Sequence, residues 1–326
     1  MARAYWALRN SGVVEAIKVL LPRNLVGDFF WSVWKYHDDF GRLPNLFSPK
    51  SFNEHLLRIK LSSDGRSAIR ALVSDKEFLK EFVRQRLGDG MTPKTFAVLH
   101  SVEEVRAYRF PPTCVVKATH TSGCVLIRNN GSPPVDVQEL SSWFDIDYFE
   151  VAREPNYRHI KPKVIVEEFL SENGEIVPED YKIFCFRGVP AFILVVGGRF
   201  SEHTENYFSP NWRELDFHGT YPRNRKPIPR PRKLDEMLHA AGRISAEFSF
   251  VRVDFYQVDG FVKLGELTNF PMAGSKVFLP ERAAQDAGRL FVEPTLDVEN
   301  LFGVFPEQVD SANDPAESSG SIRAGI

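Results

Sequence analysis

The sequence predicts an α+β fold whose sheets are built largely from antiparallel hairpins. Residues 1 to 74 read as mostly helical, and from Thr92 onward short β-branched and aromatic runs separated by turn residues take over. Three helical segments interrupt those runs, at Val102–Tyr108, Val137–Phe144 and Lys233–Phe248.

Along the chain, Gly12 to Leu21 reads as a short helix stopped by Pro22, and Phe29, Phe30, Trp31 and Trp34 follow closely. This aromatic-rich start either packs onto a larger domain or makes peripheral contact with a membrane surface. Ser48-Pro49-Lys50-Ser51-Phe52-Asn53 forms a turn and N-cap before a helix through Leu61, and Ser74-Asp75 caps a helix from Lys76 to Leu87. The strand-like runs are Phe96–Leu99, Cys114–Lys117, Val125–Arg128, Val164–Phe169, Tyr181–Phe186, Ala191–Val196, Arg252–Val258 and Phe261–Leu267. Asp259-Gly260 between the last two is a two-residue hairpin signal. A Pro- and Arg-rich stretch, Tyr221 to Arg232, reads as an exposed loop whose positive charge is either solvated or turned toward a ligand. The tail from Pro306 has little to bury and is expected to be disordered.

The chain has 326 residues, 43% of them hydrophobic, enough for one large or two ordinary domains. Its 41 basic and 43 acidic residues leave a formal charge of -2. No global field therefore draws it to nucleic acid, and an anionic ligand has to be held by local charges. Cys114, Cys124 and Cys185 form no CxxC pair and read as reduced core residues. No apolar stretch approaches a membrane span and the start lacks a signal peptide's pattern, so a cytoplasmic protein is expected.

A GxxxxGK[ST] loop, GxGxxG fingerprint, GxSxG elbow and HExxH helix are all missing, so bound phosphates would be held another way. Four segments carry candidate chemistry. In the first, a strand ends at Lys117, the small polar loop Ala118-Thr119-His120-Thr121-Ser122-Gly123 follows, and a second strand leaves; an ammonium and loop amides can converge there on polyphosphate oxygens. In the second, Glu167 and Glu168 intrude side by side into an apolar strand and point to opposite faces, so at least one needs a partner. In the third, Asp180 and Lys182 share a strand face, either as a surface pair or as a phosphate lysine held by its neighbour. In the fourth, Arg252 and Asp254 share a face, and the hairpin return can bring Glu266 beside them with Thr268 farther along. Two carboxylates brought together repel unless a cation lies between them, and hard oxygen ligands suit Mg²⁺. A structural ion-pair cluster is the competing account.

In order and spacing the four segments resemble the ATP-grasp superfamily, and most closely its TupA-like branch of teichuronopeptide biosynthesis. Ser48-Pro49-Lys50-Ser51-Phe52-Asn53-Glu54, Ser74-Asp75-Lys76, the Lys117–Gly123 loop, Glu167-Glu168-Phe169-Leu170, Asp180-Tyr181-Lys182, Arg252-Val253-Asp254 and Gly265-Glu266-Leu267-Thr268 carry the likeness, over roughly residues 40 to 280. The resemblance implies two α+β subdomains clasping ATP, about 92–167 and 168–305, within a domain of residues 75–305. A helical region over 1–74 would precede it and a tail over 306–326 follow it. It implies that Lys117 and Lys182 bind ATP phosphates with help from His120, Ser122, Gly123 and Asp180. Glu167, Glu168, Phe169 and Leu170 would form the adenine hinge, Asp254, Glu266 and Thr268 the Mg²⁺ ligands, and Arg252 the group beside an acyl phosphate. Many superfamily members have Asn where this chain has Thr268, which makes Asn269 an alternative ligand. Thr121 stands where relatives often have glycine and is expected to stiffen the loop.

The activity so implied is that of an ADP-forming carboxylate-amine ligase working on a glycan-precursor or small-molecule carboxylate and an amine. A glycosyltransferase or sugar-modifying kinase of a polysaccharide pathway, or a nucleotide-binding regulator without chemistry, are the alternatives. The regulator would need neither Asp254 nor Glu266.

Overall fold

The structure is a computed structural model, and it describes residues 21–171, 178–197 and 203–306. All but the last residue of the expected helix from Gly12 to Leu21, and the expected disordered tail beyond Pro306, lie outside those residues.

Four helices come first: α1 (Leu25–Phe40), α2 (Phe52–Leu61), α3 (Ala68–Ser74) and α4 (Lys76–Leu87). Three start where the sequence supplies an acceptor for the unpaired N–H groups of the first turn. Asn24 caps α1, Asp75 caps α4, and Ser51 with Glu54 forms a reciprocal capping box on α2. Among the described residues no helix is long and apolar enough to cross a membrane.

Glu54 does more than cap. Its carboxylate accepts from Arg42 at 2.6 Å and from the backbone N–H groups of Asn45, Lys50 and Ser51 at 3.1, 2.9 and 3.2 Å, gathering the loop before α2 around itself. Burial alone would push this carboxyl up, but the Lys50 amide, the Arg42 guanidinium and the Asn45 and Ser51 amides outweigh it and hold it at about 2. Burial, aided by Arg58, pushes the adjacent His55 down to about 4, where its ring stacks on Phe291 at 4.8 Å. Both groups lie below their ordinary values of 4.5 and 6.5, so both make folding bind fewer protons. Stability is therefore expected to be full above pH 6.5. It should fall as His55 takes up its proton between 6.5 and 4, and fall further as Glu54 does between 4.5 and 2. Urea titrations at pH 7.5 and 5 should show a loss on the order of 1–3 kcal/mol, and the His55→Asn protein should lack the upper part of that slope. A flat profile from pH 7 to 4 would contradict this account.

The first sheet is formed by β1 (Thr95–Leu99), β2 (Cys114–Ala118), β3 (Val125–Arg128) and β4 (Val164–Glu167), in the order β1-β4-β2-β3 with antiparallel pairing throughout. Helices α5 (Val102–Ala107), α6 (Val137–Ser142) and α7 (Tyr148–Ala152) lie in its connections. Val105, Leu140 and Trp143 cover one face against Leu99, Val116, Val164 and Val166, leaving the other face open.

The second sheet has the order β7-β6-β5-β8-β9, again antiparallel throughout: β5 (Asp180–Phe186), β6 (Val189–Gly197), β7 (Thr204–Phe208), β8 (Val251–Val258) and β9 (Phe261–Thr268), with α8 (Leu234–Ser245) between β7 and β8. Its back face packs Ile183, Val195 and Val253 on Leu79 and Phe82 of α4 and on Met237, Ala241 and Ile244 of α8. Half of its front face carries an aromatic core of Phe184, Phe186, Phe192 and Tyr207 under α2, α9 (Glu281–Arg289) and α10 (Val298–Phe302). Phe52 stands in this core with Phe250 and Phe278 edge-on at 5.1 Å each. α9 reaches it only because Gly288 has no side chain: a Cβ there would lie 2.1 Å from the Lys50 carbonyl oxygen. The polar half of the front face, around Lys182 and Asp254, is left uncovered.

The β8–β9 hairpin turns at Asp259-Gly260, both left-handed at φ 49° and 79°, as a two-residue turn of this type requires. A bulge then makes Gly265 the extra residue between the Asp254–Glu266 and Phe255–Leu264 pairs. Below it Leu264 turns into the core; above it Glu266 and Thr268 face the opening beside Asp254 and Arg252.

Candidate nucleotide cleft

The open faces of the two sheets enclose a cleft of about 440 Å³. Val115 and Lys117 of β2 and Val125 and Ile127 of β3 line one wall; Asp180 and Lys182 of β5, Asp254 and Tyr256 of β8 and Glu266 of β9 line the other. Glu168, Phe169 and Leu170 line the link between the sheets, and Ser122 and Gly123 the loop after β2. Val125 and Ile127 are apolar yet 48% and 40% exposed, so this wall offers a flat apolar surface.

Antiparallel register explains how the charged floor assembles. Lys182, Asp254 and Glu266 are direct cross-strand partners on β5, β8 and β9, and Arg252 pairs with Thr268 one side-chain repeat away. Asp254 accepts Lys182 Nζ at 2.7 Å and, through both oxygens, Arg252 Nε at 2.7 Å and Nη2 at 2.6 Å. Burial alone would raise the Asp254 carboxyl, but Arg252 and Lys182 outweigh it and hold it below the usual carboxylate range. Lys182 also donates to Asp180 at 2.6 Å; burial opposes its charge, and Asp180 and Asp254 prevail and raise it. Arg252 Nη2 donates as well to the Thr268 hydroxyl at 2.9 Å.

On the facing wall Lys117 lies 2.8 Å from Glu167, whose other oxygen takes Lys80 at 2.6 Å. Glu167 and Glu168 do point apart, as alternation requires. Glu167 is buried between its two lysines, while Glu168 accepts the Lys94 backbone N–H at 2.7 Å and returns its own amide to the Lys94 carbonyl at 2.9 Å. Within the loop, Gly123 takes φ 87°. His120 sits apart from the other expected site residues: it is buried behind the loop with Nε2 on the Trp143 carbonyl at 3.0 Å, and burial lowers its affinity for a proton. Its side chain does not line the cleft. Asn269, weighed as an alternative metal ligand, is corrected by the structure. Its side chain is spent on a buried network, accepting Arg70 Nη1 at 2.8 Å and donating to Ser74 at 3.0 Å.

Lys76 is a cleft residue that sequence reasoning quoted without giving it a role. Its ammonium donates to the Thr121 carbonyl at 2.6 Å, and burial lowers its pKa despite Glu266 nearby. The signal was its position as the first residue of α4, where the helix dipole disfavours a cation. A second missed pair stands on the same face toward β7: Lys276 Nζ meets Glu205 at 2.7 Å, both side chains buried. Gly219 admits this pair, since a Cβ there would fall 2.0 Å from a Glu205 oxygen.

Among the described residues no three His, Cys, Asp or Glu side chains cluster as a self-sufficient metal cage. Asp254 directly opposite Glu266 is instead a two-carboxylate donor set. That set fits Mg²⁺, which binds through one or two carboxylates and completes its shell with water and phosphate oxygens.

Residues 55–292 match the family described as TupA-like ATPgrasp. The chain belongs to this family. The ATP-grasp fold accordingly accounts for the two mostly antiparallel sheets facing one another across the cleft, with helices ahead of them. Among solved structures the chain is similar to D-alanine–D-alanine ligase from Bacillus anthracis complexed with ATP (18% identity, TM-score 0.34, 61% of this chain and 54% of that one). It is also similar to the ATP-grasp ligase PsnB complexed with minimal precursor (15%, 0.34, 63% and 54%). A third likeness is to phosphoribosylamine–glycine ligase from Thermotoga maritima (15%, 0.37, 70% and 60%). The chain thus spans about half the length of the first two of these ligases. No curated protein matches it.

Proposed function

We propose that this ATP-grasp protein is an ADP-forming carboxylate-amine ligase that works through an acyl phosphate on a bacterial cell-surface polysaccharide or peptidyl-polymer precursor. The observation that carries the reading is the floor of the cleft, where Lys182, Arg252, Asp254 and Glu266 stand side by side within one sheet face. Adenine lies against Val125 and Ile127 and is read by the backbone at Glu168 to Leu170; Lys117, Lys182 and Lys76 take the phosphates, with Ser122 and Gly123 closing over them. Asp254 and Glu266, cross-strand partners with the Thr268 hydroxyl in the same row, would hold Mg²⁺. When bound, the metal neutralises charge between the phosphates. Glu167 and Lys80 keep Lys117 aimed at the cleft.

Arg252 is committed to Asp254 through Nε and Nη2, which leaves Nη1 for a substrate oxygen. The substrate carboxylate attacks the γ-phosphorus and ADP departs. An amine then attacks the acyl carbon, inorganic phosphate leaves with the bonding electrons, and the nitrogen gives up its proton. Arg252 steadies the oxyanion that develops on the acyl oxygen. A reaction that consumes ATP supports a cytoplasmic location.

The test is ADP release against a panel of amino acids and uronic acids, run with hydroxylamine. A hydroxamate that forms only with ATP and one class of carboxylate is the expected result. Product made from a nucleotide sugar without ATP consumption would replace the ligase with a transferase, and ATP binding without turnover on any substrate would favour a regulator. Lys117→Ala should weaken ATP binding about 10- to 100-fold, the worth of one charge-assisted hydrogen bond, while Lys80 keeps Glu167 paired. Unchanged affinity by calorimetry in a folded protein would make Lys117 structural only.

A further inference from the structure

A second concavity, of about 350 Å³, opens beside the edge strand β7, outside the nucleotide cleft. Its floor is aromatic: Trp212 stacks on Phe208 with ring centroids 4.3 Å apart and planes within 6°, and the Arg223 guanidinium lies 3.8 Å over the Phe305 ring. Its rim is the Pro- and Arg-rich loop.

That loop is fixed in place. The Asn206 side chain holds the Asn224 backbone from both sides, at 2.9 and 3.0 Å, and Trp212 Nε1 donates to the Ile228 carbonyl at 3.0 Å. Arg225 and Lys226 between these two pins are exposed and make no ion pair among the described residues, whereas Arg223 is engaged with Glu214 and Arg213 with Glu299. Among the described residues they are the unbalanced charges of the groove.

The second observation is backbone strain. Trp212 closes a tight turn, its N–H on the Ser209 carbonyl at 2.9 Å, with φ 65°. This is a glycine or asparagine conformation, and a bulky aromatic there costs on the order of 1 kcal/mol or more. Stability of the turn alone would favour glycine; the indole there stacks on Phe208 and fixes the loop through the Ile228 carbonyl.

We propose that this groove binds an acidic saccharide, with a sugar ring laid against the Trp212 and Phe305 floor and its carboxylate held by Arg225 and Lys226. A flat apolar ring face next to two unpaired cations selects a ligand that carries an anionic group on a ring. A bare polyanion would use the charges and ignore the aromatics, and it would meet a chain whose net charge is -2. The groove holds its ligand whatever reaction the nucleotide cleft performs.

Calorimetry on the whole chain with an oligogalacturonate, a neutral maltooligosaccharide of equal length and inorganic polyphosphate separates the possibilities. The oligogalacturonate should bind at least tenfold more tightly than either of the others. Arg225→Ala/Lys226→Ala should weaken it at least tenfold and leave ATP binding unchanged. Trp212→Gly, which relieves the left-handed strain, should weaken it by a similar factor in a folded protein. Failure of the oligogalacturonate to bind, polyphosphate binding as tightly, or unchanged affinity in both variants would overturn the proposal; ligase activity enters none of these readings.

Discussion

Asp254→Ala is expected to cost about 3–5 kcal/mol of stability, the range for removing one partner of a buried ion pair, and to abolish magnesium-dependent nucleotide binding. The partly buried Arg252 and Lys182 both direct their charge at this one buried carboxylate, and its loss leaves them facing each other across β5 and β8 with Asp180 alone to balance Lys182. Urea titration and calorimetry with and without magnesium read the two effects separately. Asp254→Asn fills the same space without the charge, so it should lose the metal dependence while keeping more of the fold. A midpoint unchanged in the alanine protein would mean that the cations find other partners, and magnesium-enhanced ATP binding in the asparagine protein would remove Asp254 from the metal site.

Arg252→Lys is expected to bind Mg-ATP within a few-fold of normal and to lose turnover by about 10²-fold or more, the scale of removing one oxyanion donor. Lysine keeps the charge that Asp254 needs, so the floor stays neutral. It cannot reproduce the fork that reaches both Asp254 oxygens and the Thr268 hydroxyl at once. Turnover, ATP affinity and hydroxamate formation measured on one preparation distinguish a lost oxyanion donor from a lost nucleotide site. Full turnover in the lysine protein would exclude Arg252 from the chemistry.

Much of this arrangement was legible because it rests on local rules. Helix α2 announces itself by Ser51 and Glu54, α4 by Asp75, and the last hairpin by Asp259-Gly260, each with a stereochemical reason to stand where it does. Alternation puts Arg252 and Asp254 on one face of β8 and Glu266 and Thr268 on one face of β9, but it is the Gly265 bulge that brings the two pairs to the same face. β7 escaped because Thr204-Glu205-Asn206 reads as polar loop. Its polar side chains are buried only because Lys276, Glu214 and Asn224 reach them from elsewhere in the chain. The Gly265 bulge escaped because parity along a strand presumes an unbroken ladder. The placement of His120 was hidden for a similar reason: a polar residue in a phosphate-type loop looks the same in sequence whether it faces the cleft or, as here, the Trp143 carbonyl behind it.

The aromatic core beneath the cleft also bears on how the chain can be divided. Phe52 of α2 shares one packed cluster with Phe184 and Phe192 of the second sheet, and Arg70 of α3 bonds both the Phe250 carbonyl and Asn269. The helices ahead of residue 75 are thus part of the plinth on which the nucleotide floor stands. A fragment begun at residue 75 would expose the underside of Phe184 and Phe250 to water and leave Asn269 without its guanidinium. The natural unit of folding extends back at least to the loop that Glu54 gathers, and the second sheet has no seam at which α2 and α3 can be lifted away.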